Sequence, residues 1–417
     1  MTQTIFTFVA EIVPERLDVL RGVVAEIAAD PASNPVLAFG HFPTLHYASV
    51  VIFGSSRLPP TLIVENNVDG TLGGWLPLFL AGGRPGIDAL FANCVGYPNG
   101  ADAGAVEAWM GDHVVRPAAF HIGATGRSLA RIRQESELRE AIEYFIDTES
   151  RSGRLPGSPQ AVRIAIQGFV RSEPRFWWAA KTPPRQTRRE RRGHVARLAA
   201  FAAAVIVASP LLIPALVVWV GVLRFKEATD AVQKGPPDPE WVNAQLATED
   251  LLPQNHLASV VAVKPGFVRA RTLPIVLWVL NRLARVIYTN GDLGGIPSIH
   301  FAHWALIDEG RHLLFLSNFD GSWESYLGDF IDKAKVGLTA VWSNTEKFPR
   351  TRFLALAGAG DGPRFRHWAR AHGCPTAAWY SAYPNLTMPI IDNNTAIREG
   401  LNAPLRGEEV QTWLRRL

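Results

Sequence analysis

At 417 residues, with 47% hydrophobic and 19% charged side chains, the chain carries enough apolar surface for two or three packed domains, which excludes a disordered polymer and a small disulfide scaffold. The net charge of +4 is modest, and its basic residues cluster beside an apolar stretch, which argues against nucleic-acid binding. Cys94 and Cys374 do not form a metal-spaced pair, so a reducing compartment is the default.

The opening MTQTIFTFVAEIVPERL has no basic stretch ahead of an apolar run, and no secretory signal is read there. Ile5 to Val13 alternates like a strand, and Pro14 opens a helix with Leu17, Leu20, Val24 and Ile27 at helical spacing. Leu45 to Phe53 and Thr61 to Val64 read as a hairpin. After Asn67-Val68-Asp69-Gly70 come an apolar helical segment, interrupted by Gly82-Gly83, and a strand around Ala118 to Gly123.

The same phrase returns later in the chain. His256 to Val263 reads as a strand, Pro265 to Tyr288 as a helix, Ser298 to Ile307 and His312 to Leu316 as a hairpin, Trp323 to Leu338 as a helix and Arg352 to Ala357 as a last strand. Pro14, Asn67, Asp69, Gly70, Asn93 and Pro98 match Pro265, Asn318, Asp320, Gly321, Asn344 and Pro349 at an offset of 251. Pro43, His46 and Ala48 match Pro297, His300 and Ala302 at 254. Length changes collect in connections, and a register that recovers after a shift marks a duplication. Each copy has the β-α-β-β-α-β order of a ferredoxin-like unit, whose sheet needs a second layer on its open face. The expected fold is α+β: two tandem ferredoxin-like repeats forming an α+β barrel, with an inserted hydrophobic membrane segment.

That segment is Leu198 to Leu223, 26 residues without a charge, longer than the ~20 a spanning helix requires. Arg185, Arg188, Arg189, Arg191, Arg192 and Arg197 precede it, Trp177 and Trp178 stand upstream, and Arg224 and Lys226 follow. A single span would separate the repeats, so Pro210 and Pro214 suggest a hairpin that dips into the bilayer from the cytoplasmic face. Phe267 to Tyr288 mixes four arginines with Leu, Ile, Val and Trp, which fits an interfacial helix as well as a helix covering the sheet. The implied divisions are a first repeat over 1–125, a helical linker with a basic cluster over 126–193, the membrane hairpin over 194–226, a linker over 227–250, a second repeat over 251–362 and an extension over 363–417.

The candidate chemistry sits at matched places. His46 and His300 recur in the two hairpins, where an imidazole either lines a shared interior as ligand or acid–base group or is a satisfied core residue. Period two puts His300 on the face of Ala302, Trp304 and Leu306 and puts His303 on the other. Asp69 and Asp320 either cap the following helices or, with Asn318, face a ligand. Arg352, entering the last strand of the second copy only, either stabilises an anion or pairs at the surface.

A tandem pair of ferredoxin-like units resembles the dimeric α/β-barrel superfamily, which includes the dye-decolorizing peroxidases and chlorite dismutases. NFDGS at Asn318 to Ser322 and NVDGT at Asn67 to Thr71 are similar to the peroxidases' motif in their Asp-Gly. The HFAHW and NFDGSWESYLGDFIDKA phrases also resemble a bacterial family associated with peroxidase-like genes. The resemblance implies haem in the second copy, with His300 as axial metal ligand, Asp320 as proton-transfer group and Arg352 as stabiliser, and Asn318 and His46 complete the expected catalytic set. The expected function is a membrane-associated, haem-dependent, peroxidase-like oxidoreductase acting on a hydrophobic small molecule. The alternatives are a cofactor-free lipid-binding or lipid-modifying protein and a membrane scaffold for a partner enzyme, with membrane lipid as a partner and a homo-oligomer open.

Overall fold

The computed structural model describes residues 2–180, 203, 209–210, 213–287 and 295–417. The chain divides into two compact units, one drawn from 1–129 and 208–385, the other from 130–207 and 386–417. In chain order the first copy supplies β1 (Gln3–Glu11), α1 (Leu17–Ala29), β2 (Leu45–Ser55), β3 (Leu58–Asp69), α2 (Leu72–Phe91), α3 (Ala103–Asp112), β4 (Val114–Val115) and β5 (Ala119–Ile122). Next come α4 (Leu129–Arg151), α5 (Pro159–Ser172), a helix α6 over 213–229 and α7 (Pro239–Leu246). The second copy supplies β6 (Gln254–Ala262), α8 (Phe267–Ile287), β7 (Ile299–Ile307), β8 (His312–Asp320), α9 (Trp323–Asp329), a π-helical turn (Phe330–Ala334) and α10 (Lys335–Trp342). It ends with a small hairpin, β9 (Thr351–Arg352) and β10 (Leu356–Ala357), then α11 (Gly362–His372), β11 (Gly373–Cys374) and β12 (Ala378–Ser381), and α12 (Met388–Leu401) and α13 (Glu408–Leu414) follow.

Two five-stranded antiparallel sheets form, in the orders β12-β2-β3-β1-β4 and β11-β6-β8-β7-β5. Each copy keeps four strands together and gives its last strand to the other copy's sheet: β5 pairs with β7, and β12 with β2. The duplication runs further than the sequence reading took it. Asp102, Trp109, His113 and Ala119 match Asp361, Trp368, His372 and Ala378 at an offset of 259, the shift from 251 coming from the β9–β10 hairpin that the second copy alone carries. Residues 363–383 are thus the end of the second copy, and Arg352 to Ala357 are a side hairpin instead of the last strand.

The two sheets face each other. Val51 and Ile63 of one meet Val260, Ala305, Leu314 and Leu316 of the other in a shared apolar cluster. Outer faces are covered by helices: Leu20, Val24, Phe79 and Leu90 pack on the first sheet, and Leu273, Leu277, Tyr326 and Trp368 on the second. The expected barrel is therefore corrected. Closure needs hydrogen bonding to continue from edge to edge, whereas each sheet ends on its own edge strands, and β4 and β11 are only two residues long.

The membrane expectation is corrected as well. Residues 198–202, 204–208 and 211–212 of the apolar stretch lie outside the described residues, as do the basic cluster 181–197 and Tyr288 to Gly294. Among the described residues no helix is long and apolar enough to cross a membrane. The end of the stretch, α6, is tied to the second copy: Trp219 Nε1 donates to Thr272 Oγ1 at 2.9 Å. The buried Glu227 carboxylate accepts from Thr351 Oγ1 and the Phe353 and Leu354 amides. In α8, Arg269 is buried and donates to Asp230 at 2.6 Å, and Leu273 and Leu277 join the core, so its sheet-facing side is that of a covering helix. The second unit is helical, with Leu138, Ile142, Ile166, Ile397 and Trp413 in its core. There the buried Glu135 accepts from Arg131, Thr395 and Arg398.

Candidate functional site

Strand alternation places a polar layer between the sheets. On β3, Glu65, Asn67 and Asp69 point the same way as Ile63; on β8, Asn318 and Asp320 follow Leu314 and Leu316. His46 and His300 reach this layer by another device. Register jumps from Leu45↔Val68 to Tyr47↔Asn67, and from Ile299↔Phe319 to Phe301↔Asn318, leaving each histidine as the extra residue of a β-bulge. A bulge re-aims the side chain it carries, so His300 shares the inner side with His303 and not the face of Ala302 and Trp304.

Both histidines meet a carboxylate. His46 Nε2 lies 3.1 Å from Asp69 Oδ1, and its Nδ1 is 3.1 Å from Tyr383 Oη. His300 Nε2 lies 2.7 Å from Asp320 Oδ1 and 3.3 Å from Gln254 Nε2. The aspartates do not cap the helices that follow them; Thr71 and Ser322 do, accepting from Gly74 N and Ser325 N. Asp69 instead accepts the Leu129 amide at 2.8 Å. Tyr47 Oη and Ser381 Oγ both donate to Gln254 Oε1. Burial, reinforced by the neighbouring acidic groups, pushes the Tyr47 and Tyr383 phenols well above their ordinary range, so both stay protonated. Asp69, His46 and Tyr383 thus stand in a line, the imidazole within 3.1 Å of both the carboxylate and the phenol.

Deeper in the layer lies a cluster that sequence reasoning missed. Glu65, fully buried, sits 3.2 Å from His256 Nε2 and 3.5 Å from His303 Nδ1 of the opposite sheet and accepts from Ser49 and Asn318. The far nitrogens of the two rings rest on Thr376 and Thr7 hydroxyls at 2.8 and 3.0 Å. Burial by itself raises the Glu65 carboxyl, but the bonds and charges of His256 and His303 outweigh it and hold the group well below the carboxylate range. One signal was available: Glu65 is an acid inside an apolar strand, at the place Leu316 takes in the second copy. Of the expected residues, His46, His300, Asn318 and Asp320 come together in this layer. Arg352 does not; it is exposed on the β9–β10 hairpin.

The haem expectation meets the wrong geometry at His300. An axial ligand presents a ring nitrogen to an open face; His300 Nε2 is held by Asp320 and Nδ1 has no partner among the described residues, but the ring is fully buried against Tyr47 and Tyr383, with centroids 5.4 and 5.8 Å away, so neither nitrogen meets an open face. These residues do not fit a haem. Among the described residues no three His, Cys, Asp or Glu side chains are grouped to hold a metal ion.

A cavity of about 400 Å³ opens on the helical side of the second sheet, between β5 and β7 below and α8, the π-helical turn and α10 above. Its wall is mostly apolar, with Leu280, Phe330 and Leu338; His121, Asn281 and Trp304 interrupt it, and Asp332, Lys333 and Lys335 of the π-helical turn and the start of α10 add charged side chains. Trp304 Nε1 and Asn281 Oδ1 are buried with no hydrogen-bond partner among the described residues. The connection over 288–294 lies outside the described residues; the lining is made of described side chains. Comparison with protein-family models, curated proteins and solved structures finds no match to this chain.

Proposed function

We propose that the protein binds a small, largely apolar molecule in the cavity of the second copy, through an acceptor on the Trp304 indole N–H and a donor on Asn281. The observation that carries this is the pairing of an apolar wall with two buried polar atoms that lack partners. A volume of 400 Å³ falls in the range of ligand sites, which are mostly apolar with a few convergent polar groups. A buried donor left unmade costs about 1–3 kcal/mol, and a ligand that satisfies Trp304 recovers it. The π-helical turn in the wall agrees, since such turns recur at functional sites. His121, on the exchanged strand β5, gives the same cavity a group able to take or give a proton.

The test uses 1-aminoanthracene, a neutral apolar probe with one amine, followed by its fluorescence in the full-length protein. Saturable 1:1 binding is expected. Ala340→Trp, which fills the cavity, should abolish it, and Trp304→Phe should weaken it about tenfold, the loss of one hydrogen bond in a dry site. Binding that is absent, or unchanged in Ala340→Trp, overturns the reading.

A further inference from the structure

A second concave site, distinct from the cavity above, lies where residues 232–235 pass the 347–350 turn and the start of α11. It encloses about 640 Å³, and its lining includes Lys234, Lys347, Arg350, Arg364 and His367 and no acidic residue. Among the described residues Lys234, Lys347 and Arg350 form no ion pair; Arg364 alone does, with Asp361 Oδ2 at 3.1 Å. The walls are held in place: Gln233 N donates to the Lys347 carbonyl at 2.9 Å, and His367 Nε2 to the Gly235 carbonyl at 2.7 Å.

The first copy shows what the fold itself requires here. Its matched positions are Gly96 for Lys347, Asn99 for Arg350, Ala105 for Arg364 and Ala108 for His367, all uncharged. The helix caps beside these positions are the same in both copies, although the 232–235 wall belongs to the second copy's side alone. Asp102 and Asp361 cap α3 and α11, and the rings of His113 and His372 bond the Trp109 and Trp368 carbonyls. The fold is therefore built without these cations, and crowding like charges works against it. The Lys347 backbone sharpens the point. Its φ of 57° is left-handed, as is the 69° of its counterpart Gly96. Glycine adopts that conformation freely and an L side chain does so at a cost, so the second copy accepts strain to place an ammonium group at this spot.

We propose that this cleft binds a small molecule bearing two or more phosphoryl groups. Arg350 and Arg364 supply planar forks suited to phosphate oxygens, Lys234 and Lys347 supply point charges, and the opening turn of α11 adds its positive end beside the Asp361 cap. The inference is independent of the apolar cavity.

The test titrates inorganic pyrophosphate into the full-length protein by calorimetry at about 150 mM salt, where loose surface attraction is screened, with citrate as a polycarboxylate comparison. Lys347→Gly and Arg350→Asn restore the first copy's residues at positions where that copy is folded. The expected result is saturable 1:1 binding of pyrophosphate, tighter than citrate, weakened about tenfold by each substitution. Lys347→Gly should also raise the melting temperature by relieving the left-handed strain. No saturable binding, equal binding of citrate, or pyrophosphate binding untouched by both substitutions overturns the proposal.

Discussion

The two copies share a strand order, matched bulges and matched helix caps, yet the helix residues that face the gap between helix and sheet differ. In the first copy Leu37, Phe39 and Phe42, from the connection between α1 and β2, pack between a glycine-lined stretch of α2 and the sheet: Phe42 meets Phe79 of α2 at 5.1 Å and Phe39 meets Tyr380 of β12 at 5.9 Å. Gly82, Gly83 and Gly86 permit this approach; a Cβ on Gly86 would stand 2.3 Å from the Val36 carbonyl oxygen. In the second copy Lys333, Ala334 and Gly337 take those positions and line the 400 Å³ cavity. Duplication has let the two copies diverge here: glycines face the packed connection in the first, and Lys333, Ala334 and Gly337 stand at those positions in the second, where the matched connection over 288–294 lies outside the described residues. The basic cleft repeats the lesson, since its charges too belong to one copy only.

The comparison can be broken at several points. The largest effect is expected at Glu65, the acid that only the first copy carries. Glu65→Leu, which installs the residue of the matched position Leu316, removes the carboxylate that joins His256 and His303 across the sheets and should cost about 3–5 kcal/mol in urea unfolding. The pH dependence follows from the depressed carboxyl. A group whose folded pKa lies below its unfolded value contributes fully above the unfolded value, ~4.3 for Glu, and loses that contribution as pH falls toward the folded one. Wild type should therefore lose stability more steeply than Glu65→Leu as the pH falls below ~4.3, and parallel acid limbs would refute the role given to Glu65.

A smaller contrast is expected between matched glycines. Gly86→Ala drives a methyl into backbone and Leu37 and should cost about 2–3 kcal/mol. Gly337→Ala meets only Leu280 Cδ2 at 3.6 Å and should be neutral or stabilising by up to ~1 kcal/mol, because alanine suits a helix interior better. Equal losses would mean that the second copy is as tightly filled as the first. The smallest effect is expected at the cysteines, whose matched burial in both copies should make them alike. Burial pushes Cys94 and Cys374 up to about 12 each, so neither should react with iodoacetamide at neutral pH until the protein is unfolded.

Much of this was legible from residues alone. The offset of 251 located the duplication, and His46, His300, Asn318 and Asp320, picked for recurring, do meet in one polar layer. Arg352 reads as the start of a strand, but its pairing with Leu356 belongs to a two-residue hairpin that local pattern cannot tell from a strand end. The apolar run before Arg224 suggested a membrane hairpin because hydropathy records composition. It does not record that Glu227 and Trp219 fasten the described end of that run to the second copy.

The sequence by itself determined the two copies, the kinds and order of most of their elements, and the polar residues of their strands, because these rest on periodicity and local turn chemistry. Tertiary structure alone decided which way those residues face. One extra residue at each bulge reverses the period-two count, which moved His300 to the side of His303. The exchange of β5 and β12 brought Tyr383 to His46 and His121 to the cavity. A strand's partner is chosen by hydrogen bonds to distant backbone, and its own residues read the same in either sheet.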